Sequence, residues 1–293
     1  MGYASKDGYP VLEERVRKLI KQSTGLYYKH IVLTSGAQIG IVAGLKALSQ
    51  KYHQDLVHYD ELYFLGYPQI AKELGLMNVN KDWYKSDSEN ILRLTASPSN
   101  PTGEINFDLN NRDKTIWDAC YHNEIYTSPV ASEHLAKPDH VLAVGSFGKL
   151  TGLNGLRLGW IATNDEYLKK QTQLIHYNLT LGVSTISLGI LENFLDNVPT
   201  NSFFLKANSY LNDNRTEMAK LDHIFSTPIP KYGMFWLVEV DNKSRKLLDN
   251  LHIKYIEGTE CGASEDMVRL TLGQNRDITK KMVETVLKED SRG

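Results

Sequence analysis

The chain has 293 residues, enough for one large domain or a large and a small one, and its 41% hydrophobic and 10% aromatic content can fill a substantial core. A formal charge of -2 argues against nucleic acid as the main partner. Two cysteines far apart in sequence, Cys120 and Cys261, fit a reducing cytoplasm better than a disulfide framework, and no apolar run is long enough to cross a bilayer.

From residue 30 to about residue 163, short apolar runs alternate with helical stretches, the pattern of a mostly parallel sheet with helices on both faces. A predicted strand over 31–34 runs into Thr34-Ser35-Gly36-Ala37-Gln38 and then a helix over 37–48. Backbone N–H groups at such a turn suit a phosphate, although a tight strand–helix turn accounts for Gly36 equally well. A strand over 55–59 and a helix over 67–75 flank the aromatic run Leu62-Tyr63-Phe64-Leu65-Gly66-Tyr67.

Further strands are expected over 91–95, 115–117, 141–145 and 158–163. Asn100, Asp118 and Ser146 follow three of them, on the carboxyl edge where open α/β sheets bind ligands. Ser146-Phe147-Gly148-Lys149 is followed by Arg157. A lysine able to form a Schiff base, with a hydroxyl three residues earlier and an arginine eight later, suits an anionic aldehyde cofactor. Asp118 can pair with a ring nitrogen or cap a helix, and Asn100-Pro101-Thr102-Gly103 is also an ordinary turn.

Residues 165–195 read as a long helix with a break near Gly182, and 198–202 as a boundary. Beyond it, a helix over 203–221, strands over 235–240 and 268–272 and an amphipathic helix over 278–287 make an α+β unit. Arg269 lies on its second strand, placed for a bidentate carboxylate contact or for a structural ion pair.

Taken in order, Thr34-Ser35-Gly36-Ala37-Gln38, Ser97-Pro98-Ser99-Asn100-Pro101-Thr102-Gly103, Asp118-Ala119-Cys120-Tyr121, Lys149 with Arg157, and Met267-Val268-Arg269-Leu270-Thr271-Leu272-Gly273 resemble the fold type I pyridoxal phosphate enzymes. The resemblance is to the class I and II aminotransferases and runs from about Tyr3 to about Gly273. It implies a mostly parallel seven-stranded sheet sandwiched by helices, in a large cofactor-binding domain over 26–197. It also implies a smaller α+β domain made of 1–25 and 198–293.

By the same resemblance, Lys149 carries pyridoxal 5'-phosphate as a Schiff base. Gly36, Ala37, Gln38, Ser146 and Arg157 hold its phosphate, and Gly148 stands where many members have a second hydroxyl. Asp118 faces the ring nitrogen, Asn100 and Tyr121 bond the 3′ oxygen, and Phe64, or as second choice Tyr63, covers the ring. Lys149, Asp118 and Tyr121 form the catalytic group, and Arg269 with Asn100 binds the substrate carboxylate. No metal is implied. A homodimer is expected, with Tyr3 resembling a tyrosine that reaches the partner's phosphate.

The run from Tyr63 to Pro68, the short interval between Asn100 and Asp118, and Tyr126-Thr127-Ser128-Pro129 lean toward the tryptophan aminotransferase and alliinase branch, whereas His122-Asn123-Glu124 departs from it. The activity this implies is transfer of an amino group from an L-amino acid to a 2-oxo acid. A C–S lyase or decarboxylase of the same fold, or a non-catalytic cofactor-binding module, would carry the same residues.

Overall fold

The computed structural model describes residues 7–86, 88–105, 114–127 and 141–291, so Tyr3, Ser128 and Pro129 lie outside the described residues. Helix α1 (Pro10–Thr24) leads into strand β1 (His30–Thr34) and helix α2 (Ala37–Tyr52). Next come β2 (Leu56–Tyr59), α3 (Tyr67–Glu73), the two-residue β3 (Met77–Asn78) and α4 (Lys81–Ser86). Strands β4 (Leu92–Ala96), β5 (Thr115–Asp118) and β6 (Val141–Ser146) are buried at almost every position. Burial on both faces is expected of central parallel strands, and here it takes in Arg93, Thr95 and Thr115 along with the apolar side chains.

A single helical turn, α5 (Phe147–Thr151), then leads to β7 (Gly159–Thr163). The large sheet has the order β1-β7-β6-β5-β4-β2-β3, with β7 alone antiparallel to its neighbours. This is the mostly parallel seven-stranded α/β sheet that the sequence predicts. Carboxyl ends of β4, β5 and β6 lie side by side, which brings the segments after them to one edge.

The predicted long helix over 165–195 is two, α6 (Glu166–Thr180) and α7 (Thr185–Asn197). They part where Leu181 and Gly182 take left-handed φ values of 55° and 94°. Helices α8 (Thr200–Met218) and α9 (Asp222–Phe225) follow. Strand β8 (Phe235–Glu239), helix α10 (Asn242–Asn250), strands β9 (Ile256–Glu257) and β10 (Met267–Thr271), and helix α11 (Arg276–Asp290) complete the chain. The second sheet is three-stranded and antiparallel, in the order β8-β10-β9. Its core joins Trp236, Val238, Val268 and Leu270 to Leu211, Met218, Val283 and Val286 from α8 and α11.

Helix α1 departs from the predicted division, which groups residues 1–25 with the small unit. Its apolar side chains Leu12, Val16, Leu19 and Ile20 share a core with Ile31, Leu33, Trp117 and Ala162 of the large sheet. An amphipathic helix buries its stripe wherever an apolar face is free, and here that face belongs to β1 and its neighbours. Helix α8 spans both cores, with Phe204 in the first and Leu211 in the second. Among the described residues no helix is long and apolar enough to cross a membrane.

Candidate active site

The ends of β1, β4, β5 and β6 and one strand of the small sheet supply most of the candidate groups. Asp118 is the last residue of β5 and is buried. Tyr67, at the start of α3, donates its O–H to Asp118 Oδ2 at 2.9 Å, and the backbone N–H of Cys120 donates to Oδ1 at 3.1 Å. Burial raises the Asp118 carboxyl above its ordinary value, while these donors and the nearby Lys149 pull in the opposite direction. A carboxylate so supported, and shielded from water, is ready to take a cationic partner.

Lys149 sits in the single turn α5, just beyond β6. Burial lowers its amine below the ordinary lysine value, and the guanidinium groups of Arg269 and Arg157 add to that shift. Its Nζ lies 5.8 Å from the centre of the Tyr121 ring. The hydroxyl of Tyr126 donates to the Lys149 backbone carbonyl at 2.7 Å. Burial also pushes the Tyr121 phenol well up, so it stays a donor at neutral pH.

Gly36 precedes α2 with φ of 92°, a conformation that favours glycine. A Cβ there would stand 3.0 Å from Arg157 Nη2, so the guanidinium packs directly over the helix entrance. Arg157 itself has φ of 48° and follows a 3-10 turn over Asn154–Leu156. The Gly36 N–H is taken by the Thr34 carbonyl at 2.8 Å. The amides of Ala37 and Gln38 belong to the first turn, whose N–H groups have no intrahelical acceptor. Ser146 precedes α5, and its hydroxyl makes no capping bond to that turn.

Asn100 is buried in the turn after β4, where Gly103 N–H donates to the Ser99 carbonyl. Its Oδ1 accepts from Arg269 Nη1 at 2.7 Å, which joins the small sheet to the edge of the large one. The Arg269 guanidinium lies 4.2 Å from the Phe235 ring centre, and Phe235 meets Tyr121 edge-on at 5.3 Å. Phe64 leans edge-on against Tyr67 at 5.6 Å, whereas Tyr63 packs on Tyr59 and donates its N–H to the Cys261 carbonyl.

Contacts thus link Phe64, Tyr67 and Asp118; Lys149 and Tyr121; Gly36 and Arg157; and Asn100 and Arg269. Tyr67 and Tyr126 carry no assignment from sequence reasoning. Both belong to quoted runs, and a buried tyrosine hydroxyl needs a partner, the one signal that could have marked them. A cavity of about 310 Å³ opens between Lys149, Tyr126, Tyr210, Asn214 and Met234. Lys149 borders it but Asp118, Asn100, Arg157 and Arg269 do not, so the cavity meets the candidate groups only at the α5 turn.

A phosphate-bearing pyridine aldehyde fits these residues on the chemistry of the donors alone. An arginine covers a helix entrance with free amides, a desolvated amine stands nearby, and a buried carboxylate is held by two donors.

The family described as aminotransferase class I and II matches residues 1–286. The (5-formylfuran-3-yl)methyl phosphate transaminase of Methanocaldococcus jannaschii is 25% identical over 204 residues, covering 63% of this chain and 54% of that protein. Tryptophan aminotransferase-related protein 2 of Arabidopsis thaliana is 33% identical over 156 residues, covering 48% of this chain and 34% of its own length. The matches therefore span about half or less of these relatives. Among solved structures, Thermus thermophilus aspartate aminotransferase with maleate superposes with a TM-score of 0.78 at 18% identity, covering 97% of this chain and 82% of that one. At that identity the likeness establishes the fold.

Proposed function

This chain belongs to the class I and II aminotransferases, whose members use pyridoxal phosphate, and we propose that it moves an amino group from an L-amino acid to a 2-oxo acid. The observation that carries this reading is the pairing of a desolvated lysine with a buried, doubly hydrogen-bonded aspartate on one sheet edge. When bound, the cofactor supplies an aldehyde for the Lys149 amine and a ring that accepts the electrons released at the substrate Cα.

The chain's own groups do the rest. Arg157, Ser146 and the amides of Ala37 and Gln38 hold the phosphate, and Asp118 holds the ring nitrogen in its protonated form. Phe64 covers the ring, Tyr121 and Asn100 donate to the 3′ oxygen, and Arg269 takes the substrate carboxylate. Lys149, freed once the substrate amine takes its place and with its proton affinity reduced by burial, would take the proton from Cα and deliver it to C4′ of the cofactor. A homodimer and a cytoplasmic location, in keeping with two free cysteines, belong to the same proposal.

The test is a screen of L-amino acids against pyruvate and 2-oxoglutarate with the purified chain and pyridoxal phosphate. A new amino acid and a new 2-oxo acid in equal amounts are expected, and Lys149→Ala should abolish both. Pyruvate and ammonia released from a cysteine conjugate, with no amino acid formed, would refute transamination in favour of a lyase.

A further inference from the structure

Helix α6 packs along α2 and points one side chain, His176, at the loop that opens α2. The ring is buried, and its Nε2 accepts the backbone N–H of Ser35 at 3.0 Å. Since a backbone N–H can only donate, Nε2 must be the unprotonated nitrogen of a neutral ring. Burial lowers the imidazole to about 4, which keeps it neutral across the ordinary working range. The hydroxyls of Ser35 and Thr180 lie 3.3 and 3.1 Å from the same nitrogen, and both also reach the Gly182 carbonyl. The α6–α7 break is thereby tied to the loop before α2.

This contact decides which amides face the anion. The Ser35 N–H bonded to His176 and the Thr34 carbonyl that accepts the Gly36 N–H are the two ends of one peptide, Thr34–Ser35, which is therefore locked on both sides. Gly36 is then held at φ of 92°, and the first amides of α2 open beneath Arg157. We propose that His176 is a positioning residue for the cofactor's phosphate: it touches no ligand atom, and acts by fixing the Thr34–Ser35 peptide, whose carbonyl holds the Gly36 N–H, so that the α2 amides and Arg157 converge. The proposal rests on the reading of this edge as a pyridoxal phosphate site.

Its test separates phosphate binding from general integrity by comparing two aldehydes. The full chain and its His176→Leu and His176→Gln variants are titrated with pyridoxal phosphate and with pyridoxal, following the absorbance of the lysine adduct. Leucine leaves the Ser35 N–H without an acceptor and should weaken pyridoxal phosphate about tenfold. Pyridoxal, lacking the phosphate, should bind both proteins alike. Glutamine, whose Oε1 can reach the place of Nε2, should restore most of the loss.

Equal weakening of the two aldehydes, or no weakening of either, overturns the proposal. If the leucine variant does not fold, His176→Asn replaces it, because its shorter amide cannot reach Ser35, and the same selective loss is expected. A wild-type chain that binds pyridoxal and pyridoxal phosphate equally overturns the phosphate cup itself. One that binds neither overturns the cofactor reading on which the proposal stands.

Discussion

Tyr67 shows how one hydroxyl conditions another group's chemistry. Asp118 is buried, so its negative form is costly, and the Tyr67 O–H at 2.9 Å is one of the bonds that favour that form. The phenylalanine variant keeps the ring and its edge contact with Phe64 but deletes the donor. A hydrogen bond to a charged group is worth about 1.5–3 kcal/mol, so Tyr67→Phe should lower kcat by at least about tenfold while KM changes less. Steady-state kinetics with the best substrate pair check this, and an unchanged kcat would show that Asp118 does not depend on Tyr67. Nothing in the spacing of the chain announces the bond, because the partners stand 51 residues apart. Asp118, by contrast, is legible as the polar residue that ends an apolar strand.

The single turn α5 illustrates the same limit one level up. Gly148 stands where many family members have a hydroxyl, and a Cβ at that position would meet the Asn154 Cα at 2.8 Å. The 3-10 turn that presents Arg157 therefore occupies the space a side chain would need. Restoring the hydroxyl with Gly148→Ser should destabilise the protein by about 1–3 kcal/mol through overpacking, visible as a lower thermal midpoint. A variant as stable as the parent would mean the Asn154 turn gives way freely. The positions of the longer strands and the break near Gly182 were readable because apolar runs and glycine act locally, whereas the order of the strands in the sheet is a tertiary result. Helix α10 went unpredicted despite a complete capping box between Asp241 and Ser244, since it is short and its apolar side chains are only Leu247 and Leu248. The burial partner of α1 is a tertiary choice among apolar faces, which local pattern does not encode.

The whole molecule should respond to acid through buried histidines, and to charge through its exposed apolar surface. Burial holds His122 and His176 at about 4, against an ordinary value of 6.5. Between those values the unfolded chain binds more protons than the folded one, so stability is fully present above 6.5 and falls as pH drops toward 4. Thermal midpoints should decline across that window, and His122→Phe should decline less steeply; identical slopes would assign the acid sensitivity elsewhere. At the surface, Leu174, Leu179, Leu181, Ile186 and Ile190 remain exposed along α6, the α6–α7 turn and α7. Ser187 in the same helix donates to the Leu156 carbonyl, and exposed Leu153 adjoins that turn. This apolar stretch therefore borders the segment that carries Arg157. Large apolar side chains crowded into one region mark an association surface more often than free solvent exposure. If a second copy covers them, Ile186→Asp places a charge in a dry interface. The variant should then sediment at half the mass of the parent and lose cofactor more readily, because the Arg157 turn loses its outer support. A parent that sediments as a monomer, or a variant that stays paired, would remove these helices from the interface.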